Sequence, residues 1–456
     1  HVLTEKLMAH NIAQCKEMTR AADHTGLYLA VGHQRHYSVL YDNAVNLIKW
    51  NMLGEMQFIR AQWHRGNLPG RDSWKPYLPG GEKSADANKV VDQIKKKLND
   101  LNAKLDRMDK EAKDGKSIDP QEYDNTRLLR NQWAAWDADK VLRDKAGDFG
   151  YEEITLEDGR KRAAFEELCR WRLWDRTGGG LMAELGSHQL DASSIFISAL
   201  RNDGKKVHPL AVHGAGGRNV FPYDRDAEDH VYCMFEFPGP GYEAPPKENK
   251  GKYGFYDPYT GYPAKGIPAY DPEGHRNKKI IVTYSSTMGN AYGSYGETVM
   301  GSKGTLILDR EQEVLFQPID SDIDANTRVK VTADDGKASL DSYETGGGPG
   351  PAASLAKAAE GPVSRGYTEE IEHWAWCIRN PSSDNQPKCT GPVALADAIM
   401  ALTAKQAIAN SNSADPKIRS QSYIEFQDEW FDVASNETPD GSKPRSGEEA
   451  LGKPYG

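Results

Sequence analysis

Three consecutive glycines, Gly178–Gly180, interrupt the chain within RWRLWDRTGGGLMAELGSHQLD, residues 170–191. Three residues without side chains end one element and open the next. Leu181, Leu185 and Ile195 then recur at helical spacing. On such a helix Glu184 and His188 are four apart and Asp191 is three further on. All three would project from one face. A carboxylate and an imidazole on one face can relay protons or bind a metal. The same spacing also describes a capped amphipathic helix with its polar side in water, and the residues alone leave these readings open.

The rest of the composition narrows the class. A chain of 456 residues has room for two or three domains. With 38% hydrophobic and 27% charged residues it reads as a soluble globular protein. A net charge of −10 argues against nucleic acid or an anionic membrane as the main partner, since both attract basic surfaces. No apolar run is expected to approach the ~20 residues of a membrane span. The five cysteines are scattered without a CxxC pair, so neither a disulfide framework nor a zinc knuckle is indicated. Ten tryptophans and 21 tyrosines suit a protein that handles sugars.

Along the chain the order is α/β. HVLTEKLMAHN, residues 1–11, reads as the end of a strand running into a helix, so the sequence is expected to begin inside a larger protein. A helix is predicted from about Ala9 to Thr25, with Gly26 as its C-cap. LYLAVGHQRH is a short apolar run ending in polar residues, the pattern of a buried parallel strand that delivers functional groups at its carboxyl end. A helix over Tyr41–Trp50, a break at Gly54 and a strand in MQFIRAQWHR follow.

These pieces resemble the Gfo/Idh/MocA oxidoreductases, the family of glucose–fructose oxidoreductase and inositol dehydrogenase. The resemblance lies in TEK at a strand end, VGHQRHYSVLYDNAVNLI, MLGEMQFIRAQWHRG, WRLWDRTGGGLMAELGSHQLD, YGETVMGSKGTLIL and YTEEIEHWAWCIRN, in that order. It implies an N-terminal Rossmann domain binding NAD or NADP and a larger open-sheet domain that contacts substrate. The implied fold class is α/β (α+β): a remnant of a Rossmann domain over 1–54, then a large open, mainly antiparallel sheet domain over 55–432 with helices on one face, and an extended tail over 433–456. The family's Glu-Lys-Pro motif corresponds to Glu5-Lys6-Leu7, so the proline is replaced.

The resemblance implies that Lys6 lies beside the nicotinamide and the substrate hydroxyl, where a cation favours alkoxide character. It implies His188 as general acid/base, with Glu184, standing where the family usually has Asp, polarising the site. Glu5, Lys6, Trp171 and Arg172 are the implied cofactor contacts. His33, Gln34 and Arg35 are implied at a strand end that borders the nicotinamide pocket, and His33, Arg35 and Asp191 are the candidate substrate contacts. No metal is implied. The dinucleotide fingerprint GxGxxG is absent: Gly346–Gly350 lies in a Gly/Ala/Pro-rich stretch, 335–364, that reads as a linker.

Two more segments stand apart. In 84–146, Val91, Ile94, Leu98, Leu101, Leu105 and Met108 step by three and four, a heptad seam. Asp119-Pro120 opens a second helix carrying Leu129, Trp133, Trp136 and Val141. An antiparallel helical hairpin is predicted. Residues 239–278 form a long Pro/Gly/Tyr-rich loop whose Tyr253, Tyr256, Tyr259 and Tyr262 can stack on sugar rings. The expected activity is hydride transfer between a carbinol carbon of a sugar, polyol or glycoside and a nicotinamide. The alternatives are a glycoside hydrolase or lyase acting through transient oxidation, and a non-catalytic sugar-binding or assembly protein. A homo-oligomer formed through the open sheet is expected by resemblance. The compartment stays open between the cytoplasm and export by a twin-arginine signal.

Overall fold

The computed structural model describes residues 1–452 except 84–88, 157–158, 160, 202, 241, 243–277, 320–325, 335–336 and 346–364. The four loop tyrosines at 253–262 and the Gly346–Gly350 run lie outside the described residues. In chain order the strands are β1 Val2–Glu5, β2 Leu29–Gly32, β3 Met56–Trp63, β4 Glu82–Lys83, β5 Val90–Val91, β6 Ile154–Thr155, β7 Lys161–Arg162 and β8 Ala211–Gly217. They continue as β9 His230–Pro238, β10 Lys279–Thr287, β11 Tyr295–Gly301, β12 Gly304–Asp309, β13 Glu313–Pro318, β14 Asn326–Asp334, β15 Lys337–Thr345 and β16 Tyr423–Glu425. The helices used below are α1 Ile12–Thr25, α2 Val39–Lys49, α3 Gln93–Lys113, α4 Pro120–Ala138, α5 Ser187–Ser198, α6 Tyr367–Arg379, α7 Gly391–Ser411 and α8 Gly447–Gly452.

Two compact units divide the chain. The first comprises His1–Gly66, Gly179–Val220 and Glu228–Gly456, the second Asn67–Gly178 and Phe221–Ala227. The first unit is built on a ten-stranded sheet, in the order β15-β14-β13-β12-β11-β3-β10-β9-β8-β16. Its pairs are antiparallel except for β10 beside β3. Alternation sets the faces. In β9, Val231, Cys233 and Phe235 are buried while Tyr232 and Met234 are exposed, the period of two that a half-covered strand requires. Helix α5 packs against β3, β10 and β11, and α7 packs on β8.

β1 and β2 form a separate parallel pair, with Glu5 opposite Gly32. Helix α1 covers it. Asn11 caps that helix by accepting from the Gln14 amide (2.9 Å), and Gly26 closes it at φ 64°. Met8, Ile12, Cys15, Leu29 and Val31 share one core with Leu395, Ala398, Ile399 and Trp430, so the pair is fastened to α7. By length and composition α7 passes for a membrane span, against the sequence expectation, but two-thirds of its apolar window (67%) is buried in the protein. It is a core helix.

Two expectations change. Within 335–364, which reads as a linker, residues 337–345 form β15, paired with β14 from Asn326↔Thr345 to Asp334↔Lys337. KASLDSYET has too few apolar residues to show a strand, and backbone pairing supplies what the pattern lacks. The segment after 432 is not extended. Lys16, fully buried, donates to the carbonyls of Glu429 (3.1 Å), Asp432 (2.9 Å), Ser435 (3.0 Å) and Glu437 (2.8 Å). Arg20 donates to the carbonyls of Val433, Ala434, Ser435 and Arg445, and α8 packs on α1. Nothing apolar in the tail announces this contact, because its partners are backbone oxygens.

In the second unit α3 packs on α4. Asp92 and Asp119 cap the two helices on the amides of Lys95 and Gln121. Ile94, Leu101, Leu105 and Met108 are buried, whereas Val91 lies in β5 and is exposed. On the second helix Leu129 and Trp136 remain exposed, as does Val141 beyond it.

Lys16→Met would leave four carbonyls without their donor. It should cost roughly 2–4 kcal/mol in urea denaturation and open residues 433–452 to limited proteolysis; a variant with unchanged midpoint and digestion pattern would refute the clamp.

Candidate functional site

Glycine geometry opens the site. Gly179 and Gly180 take φ of 74° and 76°, a region side chains rarely enter, and a Cβ on Gly180 would meet the Glu228 carboxylate at 2.2 Å. The chain then turns into a helix that is widened to a π turn over Met182–Gly186 before α5 begins. Such a turn holds one extra residue. The α spacing from which Glu184, His188 and Asp191 were placed on one face is therefore not the spacing found, and the three find different partners.

Lys6 follows β1, and its peptide bond to Leu7 is cis. Its ammonium donates to the carbonyl oxygens of Ala183 (3.1 Å) and Glu184, both in the π turn. Glu184 itself is held by Arg65, Nη1 to Oε1 at 2.8 Å. Glu5 is exposed, and its carboxylate lies over Gly32, where a Cβ would meet it at 3.0 Å. His188 is half-buried. Its ring stands between Trp63 (centroids 5.8 Å apart) and His33 (6.1 Å, edge to face), and its Nδ1 is buried without a hydrogen bond. Burial pushes the imidazole well below its ordinary range, and the charges of Lys6 and Arg35 push the same way. It is a neutral base.

His33, Arg35 and Asp191, expected as substrate contacts, are instead sealed inside, at 1%, 1% and 0% exposure. Arg35 donates from Nε to Glu311 (2.8 Å) and from Nη1 to Glu297 (2.8 Å), to the His188 carbonyl (2.7 Å) and to Gln189. Glu297 also accepts from the Tyr41 hydroxyl at 3.0 Å, and burial raises its carboxyl to about 7 despite Arg35. Asp191, which the sequence reading could also place in water, faces His33 (3.4 Å), His36 (2.9 Å) and Lys206 (3.0 Å). Lys206 reaches Asp397 at 2.6 Å, and the other His33 nitrogen lies 3.7 Å from that same carboxyl.

Within this cluster the two carboxyls diverge. Burial alone would raise both. His36, Lys206 and His33 hold Asp191 well below the usual range, whereas burial and the Asp191 charge drive Asp397 well above it. One proton on Asp397, one negative charge on Asp191 and the Lys206 ammonium leave the cluster neutral. Burial also lowers His33. His33, Asp191 and Asp397 bring their ligand atoms within 4.8 Å of one another, a metal-like grouping, but the Lys206 ammonium already sits on both carboxylates.

Trp171 and Arg172 belong to the second unit. There the Arg172 guanidinium lies over the Trp171 indole at 4.1 Å, in a single helical turn over Trp171–Leu173. Sequence reasoning did not find Arg65, Trp63, His36, Gln189, Lys206 or Asp397. Arg65, Trp63 and His36 had a usable signal, since each lies at the carboxyl end of a strand. The other three sit in helical or irregular segments without a local cue.

No protein-family model and no curated protein matches the chain. Solved structures do align with it. Aldose–aldose oxidoreductase from Caulobacter crescentus, complexed with glycerol, is 12% identical at a TM-score of 0.42, over 93% of this chain and 72% of that one. Levoglucosan dehydrogenase in complex with NADH and levoglucosan is 11% identical at 0.43, over 93% and 74%. An oxidoreductase domain protein from Kribbella flavida is 13% identical at 0.44, over 94% and 74%. All three are oxidoreductases or dehydrogenases by name. At these identities and scores the likeness carries nothing further.

Arg35→Met would leave Glu297 and Glu311 buried without their shared cation, and should cost about 3–5 kcal/mol by chemical denaturation. Glu297→Gln, replacing a carboxyl already inclined to hold a proton, should cost less; the reverse order would refute the hub. Acid acts on His188 with a defined sign. The unfolded imidazole takes a proton near ~6.5, the folded one only well below that, so its contribution to stability falls as pH drops below ~6.5. Asp397 has the opposite sign. Relative to the parent, His188→Gln should therefore gain up to about 2 kcal/mol between pH 7 and pH 5, read from denaturation midpoints; a constant offset would exclude a neutral buried imidazole.

Proposed function

We propose that the protein is an oxidoreductase moving a hydride between a carbinol carbon of a sugar, polyol or glycoside and the nicotinamide of NAD or NADP. The observation that carries this reading is His188: a neutral, half-buried imidazole with an unpaired Nδ1, on a helix whose first turn is gripped by the Lys6 ammonium. The donor set fits the redox end of such a cofactor. Lys6 stands at the carboxyl end of a parallel strand pair, where open α/β sheets place their ligands, and the glycine at the end of β2 leaves no side chain there beyond the Glu5 carboxylate. The resemblance in the sequence points the same way.

When bound, the nicotinamide supplies the two-electron acceptor. The chain supplies the rest. His188 accepts the hydroxyl proton as the carbon–hydrogen bond gives up its electron pair, so alcohol and oxidised cofactor become carbonyl, reduced cofactor and one proton. Lys6 places positive charge beside the developing alkoxide and keeps His188 unprotonated between turnovers. Arg65 fixes the Glu184 carboxylate at 2.8 Å, which orients the polar wall of the site. Trp63, stacked on Tyr295 at 4.4 Å, offers a flat apolar surface next to His188 of the kind sugar faces rest on.

The purified chain, assayed with a panel of polyols and aldoses against NAD and NADP, should show reduction of the nicotinamide by absorbance. His188→Gln should lower kcat by about 10²–10⁴-fold while the affinity for the dinucleotide changes little. Because the folded imidazole is neutral far into acid, turnover of the parent should hold its value below pH ~6.5. Equal turnover in the variant would reject His188 as the base; cleavage of a glycoside without net nicotinamide reduction would replace the dehydrogenase by the transient-oxidation reaction.

A further inference from the structure

The reading above leaves one proton on the half-buried His188 ring each time a substrate is oxidised. His188 has no hydrogen-bonded route to water at Nδ1. Its neighbour is His33, whose centroid is 6.1 Å away, edge to face. A rotation of the His33 ring or one bridging water would join the two. His33 is itself unusual. It is 1% exposed, and neither ring nitrogen makes a hydrogen bond. Orphaned polar atoms in a sealed core are uncommon and call for an explanation. Both nitrogens are aimed at carboxyls, Nδ1 at Asp191 (3.4 Å) and Nε2 at Asp397 (3.7 Å).

Asp191 joins two imidazoles. One oxygen faces His33 at 3.4 Å and the other accepts His36 Nε2 at 2.9 Å. Of the three groups His33, Asp191 and His36, only His36 reaches partway out, at 15% exposure against 1% for His33 and 0% for Asp191. We propose that His33, Asp191 and His36 form a proton exit path that carries the proton released by substrate from His188 to solvent. This extends the dehydrogenase reading and rests on it for the proton's source.

The step balances as a relay. The N–H bond on protonated His188 breaks as one forms on His33. The His33 N–H then breaks as an O–H forms on Asp191. After a turn of that carboxyl the O–H breaks as an N–H forms on His36, which returns a proton to water. One proton enters and one leaves, and no electrons move. The groups facing His33 suit this traffic. Asp191 attracts the proton, His36 and Lys206 repel it, and Glu370 and Cys389 complete the titratable surroundings of the cluster. Asp397 and Lys206 keep the total charge near zero, so that no stage leaves an uncompensated buried charge. An imidazole kept neutral by burial releases a borrowed proton readily, which is why His188 needs a receiver close by. His33 and Asp191 act through His188 and are positioning residues rather than groups that touch substrate.

The test uses the full chain labelled at histidine with ¹⁵N. Exchange of the His33 and His188 ring N–H protons with water is followed by NMR in the parent, in His36→Gln and in Asp191→Asn. His36 lies at the rim of the cluster, so His36→Gln remains informative where Asp191→Asn fails to fold. If the path exists, exchange at both rings slows about tenfold or more in His36→Gln, and kcat falls with it and is restored by added imidazole, which a merely structural defect would not allow. Unchanged ring exchange in His36→Gln overturns the path, whatever the activity. A parent that oxidises no polyol overturns the dehydrogenase reading instead, while ring exchange still decides the path.

Discussion

The buried guanidinium of Arg35 ties the site to the fold. It is fixed just after β2 and reaches α5 through the His188 carbonyl and Gln189, β11 through Glu297, and the β12–β13 turn through Glu311. Four separate stretches of chain thus share one cation. Burying a charge is tolerable only when it is fully paired, and the pairing here demands that all four stretches be in place together. Gln189 extends the tie, donating its side-chain amide to the Gln62 carbonyl at 2.8 Å. The helix that carries His188 therefore cannot shift along the sheet without breaking the Arg35 contacts. The hub lies beneath the His188 backbone carbonyl and so fixes the position of that residue.

Next to this hub lies a second buried cluster with different logic. Arg35 holds two carboxylates together by charge. Lys206 stands between two carboxyls that have divided their proton unequally, Asp191 ionised and Asp397 neutral. Two carboxylates this close cannot both be ionised without great cost, and the histidines decide which one gives way, since His33 and His36 both favour the charge on Asp191. The hub is rigid because one guanidinium is bound at once to Glu297, Glu311, Gln189 and the His188 carbonyl. The cluster is responsive because its proton has more than one place to sit.

Much of this was legible in the sequence, and the boundary has physical causes. The strand–helix alternation of residues 1–63, the α3–α4 seam and the alternating strands from β9 to β13 follow from period and capping, which are local properties. The sequence pattern alone shows only that a carboxylate, Glu184, and an imidazole, His188, follow a glycine turn; Lys6 and the roles of all three came from the family resemblance. The π turn was not legible: nothing in MAELG distinguishes it from an ordinary helix, and it moves Glu184, His188 and Asp191 onto different partners. Lys206 and Asp397 were invisible because their meaning exists only across the 191 residues between them. Strand β15 was missed because its place is set by backbone pairing with β14, and the folded tail because the Lys16 and Arg20 side chains hold it by its carbonyls.

The assignment of Arg35 and Asp191 to substrate shows how a sequence pattern and a structure can disagree without either being idle. Polar residues at the carboxyl end of a strand do gather at the site, as the pattern expects. They gather beneath it. A polar group facing a ligand and one bracing the group that faces it are drawn from the same residue types and the same strand ends, and only burial separates them. At 1% exposure Arg35 belongs to the brace, and so does Asp191 at 0%. Half-buried His188 and the Lys6 ammonium stand in front of that brace. Few polar side chains are left partly open, and the many buried charges behind them hold those few in register.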